Sequence, residues 1–241
     1  MSAEPVRRQV RLGETFATVI AAERYQELAA QAIASARAAI EAYIGRRPSF
    51  RTALKPLAIE AEAPEVVRRM AAAAARCAVG PMAAVAGAIA QCAAETLVAA
   101  GAAHVVIDNG GDIVLRIDRP VIVGIFSGPA RIRDIALRFL PRPQIFSVCT
   151  SSGTVGHSLS FGRADAATVI AGDGCLADAA ATALGNRVQR CAEKDIESAI
   201  RRSLLEGAQG ALVIADDRLG LGGDLPDIVR AHMGTNIISQ G

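Results

Sequence analysis

The chain has 241 residues, 51% of them apolar and 3% aromatic, with no Trp. That is enough for one domain, or two intimately packed halves, around a core of small aliphatic side chains. Its 26 Lys and Arg against 24 Asp and Glu leave a net charge of +2 with no basic block, which argues against nucleic acid as the main ligand.

In chain order, residues 5–21 alternate apolar and polar about Leu12-Gly13-Glu14 and predict an N-terminal hairpin with Arg7, Arg8 and Arg11 on its wet face. Residues 1–14 lack the apolar segment of a signal peptide, so a cytoplasmic protein is expected. Helical spacing runs from Arg24 to Tyr43 and is closed by Gly45 and Pro48. A second helix is expected from Pro64 to Ala78. Gly80-Pro81 breaks the chain, and Pro81 opens a third, Ala-rich helix to Ala100. Gln91, Glu95 and Thr96 within that apolar run predict a buried helix rather than a membrane span. Its small side chains permit close neighbours, and the Ala-rich helices make a homodimer plausible. Strands are expected at His104–Asp108, Ile113–Ile117, Val121–Phe126, Ile132–Leu140, Gln144–Cys149 and Ala167–Ala171. Helices follow at Leu176–Val188 and Asp195–Leu205, and Ala211–Ala215 starts a closing strand pair. Helices and strands in blocks predict an α+β fold, a mixed, largely antiparallel sheet with helices packed on one face. The five Cys fit no metal or redox spacing and read as reduced thiols.

Three segments could carry chemistry beyond a hairpin turn, a surface loop and a helix cap. Asn109-Gly110-Gly111-Asp112 sits between two apolar runs. Asn-Gly is a hairpin signal, the second Gly lets a ligand touch the backbone, and Asp108 and Asp112 could hold a sugar hydroxyl or a cation. Thr150-Ser151-Ser152-Gly153 begins a run of hydroxyls and glycines that suits phosphate, with His157 in the same loop. Asp178 and Thr182 are four residues apart on one helix face, with only Ala between them; they make a hard-cation site for Mg²⁺, or Asp178 serves as a helix cap. Cys149, at the end of a strand, is the nucleophile of a third reading, a thiol enzyme, although no basic neighbour in sequence lowers its pKa.

In this order the three segments resemble the motifs of the ApbE superfamily: its N-GGD turn in Asn109-Gly110-Gly111-Asp112, its TSG loop in Thr150-Ser151-Ser152-Gly153, and its ADALATA motif in Ala177-Asp178-Ala179-Ala180-Ala181-Thr182-Ala183. The likeness spans about residues 80–190. It implies a T-fold-related α+β domain, FAD or a related nucleotide with Mg²⁺ as cofactors, and transfer of FMN to a Thr or Ser of an acceptor protein. Asp178 and Thr182 would hold the metal, with Asp178 and His157 in the catalytic roles. Asn109, Gly110, Gly111, Asp112, Thr150, Ser151, Ser152 and Gly153 would line the nucleotide site. The HIIDPRTG-like stretch of the enzymes reads His157-Ser-Leu-Ser-Phe-Gly162 here, with Ser160 where the Asp would stand. That departure resembles the cytoplasmic branch of the superfamily. It carries the alternative of a non-catalytic partner or assembly factor, in sulfur or one-carbon metabolism.

Overall fold

The structure is a computed structural model that describes residues 4–128, 130–152 and 162–230. Alternation about Gly13 folds β1 (Pro5–Leu12) onto β2 (Thr15–Ala22) in continuous antiparallel register. A 3₁₀ turn over Glu23–Tyr25 leads into α1 (Gln26–Arg46), which buries Ala29, Ile33, Ala36, Ile40 and Tyr43 at helical spacing. The short α2 (Ser49–Thr52) sets Phe50 edge-on against Tyr43, with ring centroids 5.1 Å apart. Then come α3 (Glu65–Cys77) and α4 (Val85–Ala99). The predicted third helix is divided, because Pro81–Ala84 form a 3₁₀ turn before α4 begins. Pro81–Ala99 is long and apolar enough to cross a membrane by length and composition alone, yet Ala88, Ile89, Ala90, Ala93, Ala94 and Leu97 are buried within the fold.

The next strands are β3 (Val105–Asn109), β4 (Asp112–Ile117), β5 (Val121–Ile125), β6 (Ile135–Phe139), β7 (Arg142–Ser151) and β8 (Ala166–Ala171). After them α5 (Gly174–Arg187) and α6 (Glu193–Leu205) precede β9 (Gly210–Ala215), β10 (Arg218–Gly223) and β11 (Asp227–Arg230). Two sheets form. The larger has the order β1-β2-β3-β4-β7-β8-β9-β10, while β5 and β6 leave it and pair with β11 in a sheet of order β11-β6-β5. Every described strand pair is antiparallel.

As expected, helices cover one face of the large sheet: α4 lies on β3 and β4, α5 on β7 and β8, with α1 against α4 and α3 against α5. The opposite face is closed by the small sheet, which the sequence reading did not separate. Val123, Ile125, Leu137 and Phe139 pack there against Leu115, Phe146, Ile170 and Ile214. Residues opposite one another in register share a face, so each row across the sheet points wholly toward the helices or wholly toward the small sheet.

Candidate functional site

The tip of the β3–β4 hairpin, the ends of β7 and β8, and the first turns of α4 and α5 meet at one place. The hairpin turn is Gly110-Gly111, with φ of +69° and +97°, and Asn109 and Asp112 form its closing pair. This corrects the expected Asn-Gly turn by one residue: glycine takes both left-handed positions, which frees Asn109 to stay in the strand. A methyl group added at either glycine would meet none of the described residues within 4 Å, so the turn backbone is open with respect to them.

Register decides which side chains belong to the site. Ala17, Asn109, Asp112, Cys149 and Val169 form one row across the sheet, and Ala17, Cys149 and Val169 lie in the helix-side core. Thr18, Asp108, Ile113, Val148 and Ile170 form the next row, and Ile113, Val148 and Ile170 lie in the core under the small sheet. Asp108 and Asp112 therefore point to opposite faces and do not act together on one sugar hydroxyl or cation. Asp108 instead accepts from the Gly111 N–H through Oδ1 at 2.9 Å and shapes the turn. Asn109 donates through Nδ2 to the Ala86 carbonyl at 3.2 Å, tying the hairpin to α4.

The hydroxyl loop divides in the same way. Thr150 faces away from Asp112, and its hydroxyl pairs with that of Thr168 at 2.9 Å. Only its N–H serves the site, by donating to the Asp112 carboxylate. The Thr150 hydroxyl thus lies on the face opposite the Asp112 side chain, as strand alternation requires. Ser151 lies on the helix side, nearly buried, and Ser152 is half-buried. Gly153, His157 and Ser160 lie outside the described residues.

On α5 the helix cap is Asp173, whose Oδ1 accepts from the Leu176 N–H at 3.1 Å; Asp178, in the second turn, does not cap it. Asp178 reaches across to α4, where its Oδ2 accepts from the Gly87 N–H at 2.9 Å, and the Ala86 N–H donates to the same carboxylate. This contact requires close helices. A Cβ at Gly87 would stand 2.2 Å from the Gly174 carbonyl oxygen, and one at Gly174 would stand 2.5 Å from the Gly87 oxygen. Thr182 is half-buried one turn further along α5.

The electrostatics are unusual for neutral pH. Burial raises the pKa of Asp178, only partly offset by the Gly87 and Ala86 amides. Burial also raises Asp112 well above the usual carboxylate range, and the Asp178 charge raises it further, against the Cys149 thiol and the Thr150 N–H. Among the described residues neither carboxyl has an ion-pair partner. The same surroundings push the Cys149 thiol up, first by burial and then through Asp112. A thiol held protonated donates to Asp112 and is a poor nucleophile, which argues against the thiol-enzyme reading. Among the described residues no group of three or more His, Cys, Asp or Glu is placed to hold a metal, so a cation here would take Asp112, Asp178 and neutral oxygens.

Several contributors escaped the sequence reading: Gly87 and Ala86 as donors, Asn109 as a tether, Cys149 as a donor, and Asp173 as the cap. The usable signal was Asp173 just before a helix-forming run, the ordinary mark of an N-cap.

A family model described as AbpE bacteria matches residues 2–207. The UPF0280 protein of Methanocella arvoryzae is 48% identical over 228 residues, covering 95% of this chain and 93% of that protein. The UPF0280 protein of Archaeoglobus fulgidus is 41% identical over 232 residues, covering 95% and 96%. Among solved structures, a mutant of the flavin transferase ApbE from Vibrio cholerae has a TM-score of 0.58 at 11% identity, over 91% of this chain and 97% of that one. The apo form of the Pseudomonas stutzeri flavinyl transferase ApbE has a TM-score of 0.54 at 12% identity, over 94% and 96%. At such identities the likeness is one of fold.

Proposed function

The chain belongs to the AbpE bacteria family, alongside the archaeal UPF0280 proteins, and from that premise we propose that it binds FAD or a related nucleotide with Mg²⁺ at the β3–β4 tip and transfers FMN to an acceptor protein. The observation that carries this reading is the Asp112–Asp178 pair, a half-buried and a buried acid that are both raised in pKa, with no ion-pair partner among the described residues. A hard divalent cation fits that donor set, and Asp112, Asp178 and the Thr182 hydroxyl would hold it. When bound, it neutralises negative charge on phosphates.

The bare Gly110-Gly111 turn supports the nucleotide half of the reading, because a ligand could approach its backbone without meeting a described side chain, the Gly111 N–H itself being held by Asp108. Ser151 and Ser152 would add hydroxyl donors, and Asn109 holds the turn in place by its tether to α4. His157, in its sequence position between the hydroxyl loop and α5, would move the proton.

A second reading, a non-catalytic nucleotide-binding partner in a metabolic pathway, is favoured by one observation: Ser160 stands where the related enzymes carry Asp.

Calorimetric titration with FAD, FMN and ADP, with and without Mg²⁺, tests the proposal. FAD binding that requires Mg²⁺ and is lost in Asp112→Asn is expected; no binding of any of the three in the presence of Mg²⁺ ends the nucleotide reading. Binding without any turnover of FAD, when FAD and Mg²⁺ are incubated with the protein, would move the second reading to first place.

A further inference from the structure

Arg69, on α3, meets two carboxylates from different helices. Its two terminal nitrogens pair with both Glu95 oxygens on α4, at 2.8 and 2.9 Å, and Nη2 also reaches Asp173 Oδ2 at 2.5 Å. Both partners continue inward. Asp173 caps α5 through its other oxygen. Glu95 accepts from Gln91 Nε2 at 2.8 Å, and Gln91, 3% exposed, accepts through Oε1 from the Gly174 N–H at 2.9 Å. Ser147 on β7 lies within 3.5 Å of that same Gln91 oxygen.

This chain of contacts ends on the first turn of α5. One turn on, Asp178 receives the Gly87 N–H, and Gly87 lies one turn before Gln91 on α4. The α4–α5 contact is thus pinned at two levels, Gly87 to Asp178 and Gln91 to Gly174, with the mutual approach of Gly87 and Gly174 between them. The outer pin has one cation holding it, and that cation spans three helices.

We propose that Arg69 is a positioning residue that fixes the register of α5 on α4 and so sets the Asp178 carboxylate against the Gly87 amide and beside Asp112; its functional consequence rests on reading that pair as the cation site. Geometry carries the role more than charge. A guanidinium can engage Glu95 with two parallel N–H groups and still reach Asp173, whereas an ammonium is a point donor.

Arg69→Lys and Glu95→Gln test this in the full-length protein with two readouts. The first is hydrogen exchange at the Gly87 amide, which needs no ligand. It should speed up at least about tenfold in both variants, while amides of β8 and β9 keep wild-type rates. The second is calorimetric titration with MgCl₂ alone, where affinity should fall about 10–100-fold, as for other residues that orient a ligand from behind. Unchanged exchange at Gly87 in Arg69→Lys would overturn the proposal, because the charge alone would then suffice. Uniform acceleration of all amides in both variants would overturn it equally, by reducing Arg69 to a general stabiliser. A wild-type protein that does not bind Mg²⁺ would remove the cation-site reading, and the Gly87 amide would still decide whether Arg69 positions Asp178.

Discussion

Asp112 is held by two donors and opposed by its surroundings. The Cys149 thiol and the Thr150 N–H favour its ionised form, yet burial and the Asp178 charge outweigh them and raise its pKa. An acid whose folded pKa exceeds its unfolded value costs stability once the solution pH passes the unfolded value. Asp112→Asn keeps an acceptor oxygen for both donors and removes the charge. Without Mg²⁺ at neutral pH the variant should therefore melt above wild type, by about 2–4 °C for each kcal/mol of relief, one pKa unit being about 1.4 kcal/mol. It should also lose the rise in Tm that Mg²⁺ gives wild type. Differential scanning calorimetry with and without Mg²⁺ checks both. A variant that melts lower and still responds to Mg²⁺ would mean that Asp112 is a structural acceptor and nothing more.

Between elements, the α4–α5 contact depends on glycine at two positions of closest approach. Gly87→Ala would place a methyl group 2.2 Å from the Gly174 oxygen and 2.8 Å from the Asp178 Cβ, so the helices must part. The expected cost is about 1–3 kcal/mol, with weakened Mg²⁺ binding because Asp178 loses its amide donor. Gly45→Ala, in the last turn of α1 with nothing within 4 Å of the added methyl, is the control of opposite sign and should gain up to about 1 kcal/mol. Urea unfolding of the two variants separates crowding at the helix contact from a general effect of replacing glycine.

Much of this element-level order is legible in the sequence, because the order of helices and strands follows from periodicity and from Gly and Pro punctuation. What sequence could not supply has a physical reason in each case. The turn fell at Gly110-Gly111 because two adjacent glycines compete with Asn-Gly for the same left-handed positions, and nothing local decides between them. β5 and β6 alternate like strands of the main sheet, and only pairing with β11, some 90 residues on in the register Arg138 to Asp227, sets them apart. The Arg69 contacts span 26 residues to Glu95 and 104 to Asp173, beyond any local pattern. Alternation within a strand did carry information that the reading left unused: Asn109 and Asp112 flank the two-residue turn and share a face, so Asp108, one residue earlier, points to the opposite one.

For the whole molecule, a net charge of +2 leaves little general repulsion, so pH should act through individual groups. Asp112 and Asp178 have folded pKa values raised above those of the unfolded chain, and the stability they contribute is present below the unfolded value of about 4 and lost as pH rises through the folded values. His104 works the other way. Burial lowers its pKa despite the Asp118 carboxylate 3.0 Å from Nδ1, so its contribution is present above an unfolded value of about 6.5 and lost as pH falls through the folded one. The two trends partly cancel in the melting temperature of the metal-free protein, which is therefore a poor reporter of either. The difference made by Mg²⁺ isolates the acid pair, since a cation binds the ionised carboxylates and must displace their protons. The gain in Tm on adding Mg²⁺ should be small near pH 5, grow as pH rises through the raised folded values, and level off above them. The same scan on Asp112→Asn should show little gain at any pH. A Mg²⁺ gain independent of pH in wild type would mean that the cation binds away from Asp112 and Asp178, at carboxylates already ionised at pH 5.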